Sequence, residues 1–71
     1  MHSLDLRGLS CPVPLLRAKK HIQEMSPGDK VMIRSTEDKF GEDIHDLCKL
    51  LDANVEALNW KAGVVTVLIE K

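Results

Sequence analysis

Cys11-Pro12-Val13-Pro14 is the stretch of this sequence whose residue types and spacing could do chemistry. A thiolate, not a thiol, is the nucleophile, and a helix N-terminus is one of the places where a cysteine becomes one. Directly behind the cysteine begins the apolar run of a helix, "PLLRAKKHI". Proline lacks an N–H and its ring clashes with the carbonyl four residues back. Neither matters in a first turn, where the N–H groups have no intrahelical partner and where Ser10, four residues before Pro14, still lies outside the helix. Pro12 suits the first helical position and pushes Cys11 towards the extended geometry of a cap. The spacing therefore predicts a helix start sharpened around a sulfur. Cys11 caps it, the prolines remove two amides, and the Val13 N–H is free to donate to the sulfur. That bond and the helix dipole would both favour thiolate.

The residues alone leave a second reading open. A free cysteine is commonly a small buried hydrophobe, and Cys11 would join the side of Leu15, Ala18 and Ile22 if the helix extended backwards. Cys48 falls within an apolar helical stripe of its own and reads as structural. The two cysteines match no common zinc spacing, and no Cys-x-x-Cys supplies the resolving thiol of an oxidoreductase. His2, His21 and His45 are dispersed in the chain, so no metal and no cofactor is expected. Arg17, Lys19, Lys20 and His21 form a basic run, which is either a solvated face or a docking site for an acidic partner. Val13 and Leu16 lie off the central stripe; they are edge core or an apolar grip for a partner beside Cys11.

The elements that must position these groups follow from periodicity. "SLDLR" alternates as a short strand with Leu4 and Leu6 inward, and Gly8 breaks it. A helix is expected from about Pro12 to Met25, with Leu15, Ala18, Ile22 and Met25 as its stripe. "SPGD" ends it, and "KVMIRST" is a second strand. A second helix runs from Lys39 or Gly41 to Asp52, with Ile44, Leu47, Cys48 and Leu51 at i, i+3, i+4 and i+7. Acidic residues crowd its start, where the dipole favours them, and Asn54 reads as its left-handed cap. "VEALNW" and "VVTVLIE" form an antiparallel hairpin around "KAG". The order βαβαββ, with one apolar stripe per helix, predicts an α/β (α+β) two-layer sandwich: a four-stranded mixed sheet with two helices on one face.

The 71 residues suffice for one domain, residues 1–71, and for one modest core, because so short a chain buries only about 60% of its unfolded surface. Ten basic and eleven acidic side chains, net charge −1, argue against direct nucleic-acid binding. The start "MHSLDLRG" is not a signal peptide, and no run reaches the ~20 apolar residues of a membrane span, so a cytoplasmic location is expected.

With these residues in place, "LDLRGLSCPVP" resembles the TusA family of small sulfur-carrier proteins, also called SirA-like. The matching residues are Leu4, Asp5, Gly8, Leu9, Cys11, Pro12 and Pro14, with Cys-Pro-x-Pro as the hallmark. "MSPGDKVMI" and "EDIHDLC" extend the resemblance over nearly the whole chain. It departs where Glu37-Asp38 replaces an Asp-Pro and where Leu47 replaces a phenylalanine. The resemblance implies a monomer that holds sulfane sulfur as a persulfide on Cys11. Pro12, Val13, Pro14, Gly8 and Asp5 would support the cysteine, and Leu16, Arg17, Lys19 and Lys20 are candidates for partner docking. Its partners would be a protein sulfur donor, either a cysteine desulfurase or a rhodanese-like enzyme, and a protein sulfur acceptor. The alternative is a regulatory or protein-binding module in which Cys-Pro-x-Pro only shapes the helix start.

Overall fold

The computed structural model describes residues 2–10 and 13–71. Its elements are β1 (His2–Asp5), α1 (Val13–Glu24), β2 (Lys30–Ser35), α2 (Phe40–Leu50), β3 (Asn54–Lys61) and β4 (Val64–Glu70). The βαβαββ order and the mixed four-stranded sheet agree with the expectation from periodicity. Among the described residues, no helix is long and apolar enough to cross a membrane.

The strands lie in the order β1-β2-β4-β3. β1 runs parallel to β2, with Asp5 opposite Arg34, and β4 is antiparallel to both β2 and β3. The last strand is thus inserted between two earlier ones. Its composition explains the placement. In β4, Val65, Val67 and Ile69 are fully buried, whereas β3 carries Glu56, Asn59 and Lys61 and is mostly exposed. Apolar surface gains most at the sheet centre, and the polar strand takes the edge.

Both helices cover one sheet face. Ala18 and Ile22 from α1, with Met25 just past its end, meet Phe40, Ile44, Leu47 and Cys48 from α2 above Val31, Ile33, Val65, Val67 and Ile69, and Leu6 and Ala53 join the same cluster. Leu15 and Leu51, assigned to the stripes, pack at its edge. Phe40, one turn before Ile44, extends the α2 stripe further back than its expected apolar positions.

The end of α2 differs from the sequence reading. α2 ends at Leu50, and the left-handed residue after it is Asp52 (φ 55°), not Asn54. The Ala53 N–H then donates to the Cys48 carbonyl at 2.9 Å, closing the helix end as a Schellman turn does. A short polar aspartate tolerates this conformation, and Asn54 is already the first residue of β3. The β3–β4 turn is the tight one expected, with Ala62 and Gly63 both left-handed (φ 52° and 76°) as a type I′ hairpin demands.

Candidate functional site

Among the described residues, the loop from β1 to α1 is held by short-range contacts, a bond to β2 and a tie to the residue after β2. The Leu6 N–H continues the ladder to the Arg34 carbonyl (2.8 Å), and Leu6 itself is buried. The chain then turns. The Leu9 N–H reaches the Leu6 carbonyl (3.3 Å), and Gly8 takes φ +81° at the third turn position. A Cβ at Gly8 would meet nothing within 4 Å, so glycine is required by backbone conformation and not by space. The Gly8 N–H donates to the Thr36 hydroxyl (3.0 Å), tying the turn to the residue that follows β2.

Asp5 anchors the same turn. Its carboxylate accepts from Arg7 Nε (2.9 Å), from the other guanidinium arm (2.7 Å) and from the Arg7 backbone N–H (3.1 Å). The side-chain bonds first, and the backbone bond second, hold the Asp5 carboxyl at about 2. It therefore remains ionised far below neutral pH. The pair is open to solvent, so its role is to set geometry more than to add stability.

Cys11 and Pro12 lie outside the described residues. On their far side the described part of α1 runs from Val13, and the expected start at Pro12 lies outside the described residues. The Val13 N–H donates to the Ser10 carbonyl at 3.0 Å. This corrects the expectation that it is free for the sulfur, because a strong carbonyl acceptor three residues back takes it. Pro14 sits in the first turn and is buried against the core, so it packs as well as shaping the helix start. No acidic side chain occupies that turn, in contrast to Glu42 and Asp43 in the first turn of α2.

The docking candidates Leu16, Arg17, Lys19 and Lys20 are all exposed on α1, and Leu16 is more than half accessible. Val13, also exposed, is not edge core. Arg17 and Lys20, with Leu4, His21 and Glu24, line a shallow pocket of about 180 Å³. The histidines are less dispersed in space than in sequence, because β1 lies beside the C-terminal half of α1 and the His2 and His21 rings meet edge-on at 5.3 Å.

Two contributors escaped the sequence reading. Arg7 carried a readable signal, a cation two residues after an aspartate. Thr36 carried none, since its contact with Gly8 spans 28 residues of chain.

Cys48 is buried, as its position in the stripe implied, and burial pushes its thiol up to about 11. In native protein at pH 8, alkylation followed by peptide mass analysis is expected to leave Cys48 unmodified until guanidinium unfolds the chain. The unfolded thiol loses its proton near 9 while the folded one holds it to about 11. Stability should therefore fall as pH rises across that window, and less steeply in Cys48→Ala.

Gly8 offers another test. Alanine there enters a left-handed conformation that costs about 1–2 kcal/mol, read as a lowered melting temperature. Asparagine should cost less because it tolerates that region. An unchanged melt for Gly8→Ala would mean the turn can relax.

The family model described as "Sulfurtransferase TusA" matches residues 2–71. A candidate sulfur carrier protein of Neisseria meningitidis serogroup A is 34% identical over 73 residues, covering 96% of this chain and 92% of the relative. The sulfur carrier protein TusA of Pseudomonas fluorescens is 30% identical over 69 residues, covering 97% and 83% respectively. The crystal structure of a SirA-like protein from Desulfitobacterium hafniense superposes with a TM-score of 0.85 at 28% identity, covering 99% of this chain and 96% of that one. A family match over nearly every residue, on a fold that a solved SirA-like structure shares, means that this chain belongs to the TusA family.

Proposed function

We infer that this protein is a sulfur carrier whose Cys11 accepts sulfane sulfur from a donor protein and passes it to an acceptor cysteine. The observation that carries this reading is the position of Cys11 in the chain. It stands between a loop tied down by Asp5, Arg7 and Thr36 and a helix whose first turn holds no acidic side chain. A helix N-terminus without acidic neighbours favours an anion, here a thiolate. Family membership and the names of the relatives support the cargo being sulfur.

The chemistry needs no oxidant. The Cys11 thiolate attacks the outer sulfur of the donor's persulfide, the new S–S bond forms as the donor's breaks, and the donor leaves as a thiolate. In the second transfer an acceptor thiolate attacks the outer sulfur on Cys11, which leaves in turn. Neither step requires a general base or an enclosed pocket on the carrier. Both require an accessible, ionised sulfur and a surface for the partner, for which exposed Leu16, Arg17, Lys19 and Lys20 are suited.

Incubation with a cysteine desulfurase and cysteine tests the reading. Intact mass should rise by one sulfur atom, located on the Cys11 peptide and released by reductant. Loading on Cys48 instead would overturn it.

A further inference from the structure

A second surface lies on the other side of the helical layer. We propose that the groove between α2 and the edge strand β3 binds an extended, basic segment of a partner protein, anchored by an apolar side chain over Trp60. The proposal does not depend on the chemistry at Cys11.

The groove has a volume of about 560 Å³. Leu58 and Trp60, two residues apart and thus on one face of β3, form its floor, and each is over 40% exposed. Gly41 lets α2 approach this closely, since a Cβ there would come within 3.1 Å of Leu58. The opposite wall carries Asp38, Glu42 and Asp46, spaced four residues apart, together with His45. All four are exposed, and among the described residues none of the three carboxylates has an ion-pair partner. Like charges four apart repel along a helix, as Glu42 and Asp46 do on α2, and Asp38 adds a third just before it. The helix dipole favours only the charge in the first turn, whereas a cationic occupant would offset the whole row.

The strand supports an extended occupant. β3 is last in the sheet order, so its outer edge presents unpaired backbone groups. The irregularity between Val55 and Ala57 blunts only its beginning, and the stretch from Ala57 to Lys61 pairs regularly with β4. Exposed tryptophan and leucine on such an edge are what strand addition uses, with backbone bonds for affinity and alternate side chains for specificity. Placement adds to this. Trp60 lies opposite Val65, which lies opposite Ser35, so the groove opens at the end of the sheet where β1 leads into the loop before Cys11 and β2 leads towards α2.

Trp60 is the sole tryptophan, so its emission reports occupancy directly. The Cys11→Ser protein, which cannot carry sulfur, is titrated with a synthetic peptide of alternating arginine and valine and with its glutamate–valine counterpart. A saturable blue shift with the basic peptide alone is expected, weakened by added salt. It should weaken by at least about tenfold in an Asp38→Asn/Glu42→Gln/Asp46→Asn variant shown folded by circular dichroism. Absence of a shift at millimolar peptide, an equal response to the acidic peptide, or undiminished binding by the triple variant would each overturn the proposal. So would a shift that follows protein concentration without peptide, because a second copy would then be the occupant.

Discussion

Cys11→Ser is expected to abolish sulfur loading and to leave thermal unfolding unchanged. Serine keeps the size of the side chain and its capacity to cap a helix, so the helix start should survive. Its hydroxyl cannot form a persulfide, and no other described thiol is available, since Cys48 is buried with its thiol pushed up to about 11. Transfer should fall to the level of the donor enzyme alone, a complete loss. Intact mass after desulfurase treatment reads the loading, and a circular dichroism melt reads the fold. Residual loading equal to the parent would show that sulfur is held elsewhere. A large loss of stability would show instead that Cys11 is a core residue, the other reading its sequence position allowed. A protein-binding module would separate from a carrier here, because its partner binding would persist in a variant that no longer exchanges sulfur.

The second large effect is on the fold. Phe40→Ala is expected to leave the chain largely unfolded at room temperature. Phe40 is 1% exposed, is among the largest fully buried side chains, and stands at the first position of α2. Truncating a buried phenylalanine costs about 3–5 kcal/mol through lost transfer energy and a residual cavity. A chain of this size has about that much stability to lose. Phe40→Leu largely preserves hydrophobic volume and should cost less than about 1.5 kcal/mol. Far-ultraviolet circular dichroism and urea melts of both variants check this. A Phe40→Ala protein that melts within about 1 kcal/mol of the parent would mean that the α2 start is not held by this ring. Together the two substitutions separate chemistry from architecture: one removes transfer with the fold intact, the other removes both.

The periodic features were legible in the chain itself. Leu15, Ala18 and Ile22 and the Ile44, Leu47, Cys48 set each define a helix face from local spacing, and the two-residue hairpin turn is a local backbone requirement. The order of elements, the two-layer arrangement and the burial of Cys48 follow from such patterns, which depend on neighbours three or four residues away. The Cys-Pro-x-Pro stretch is legible for the same reason. Each effect of the prolines is exerted on the adjacent residue or one turn back.

Only the tertiary structure decided the rest. The insertion of β4 between β2 and β3 is a competition among strands for the sheet centre, settled by which carries the most apolar surface, and no local window weighs that. The Gly8–Thr36 tie, which spans 28 residues of chain, depends on how donors and acceptors find one another once the chain is compact. The groove over Trp60 exists because Gly41 permits a close approach of α2 to an edge strand, a fit of two surfaces that are separate in sequence. Spacing along the chain specifies what a segment can be. Which surfaces meet depends on burial summed over the whole molecule, and that sum is available only in three dimensions.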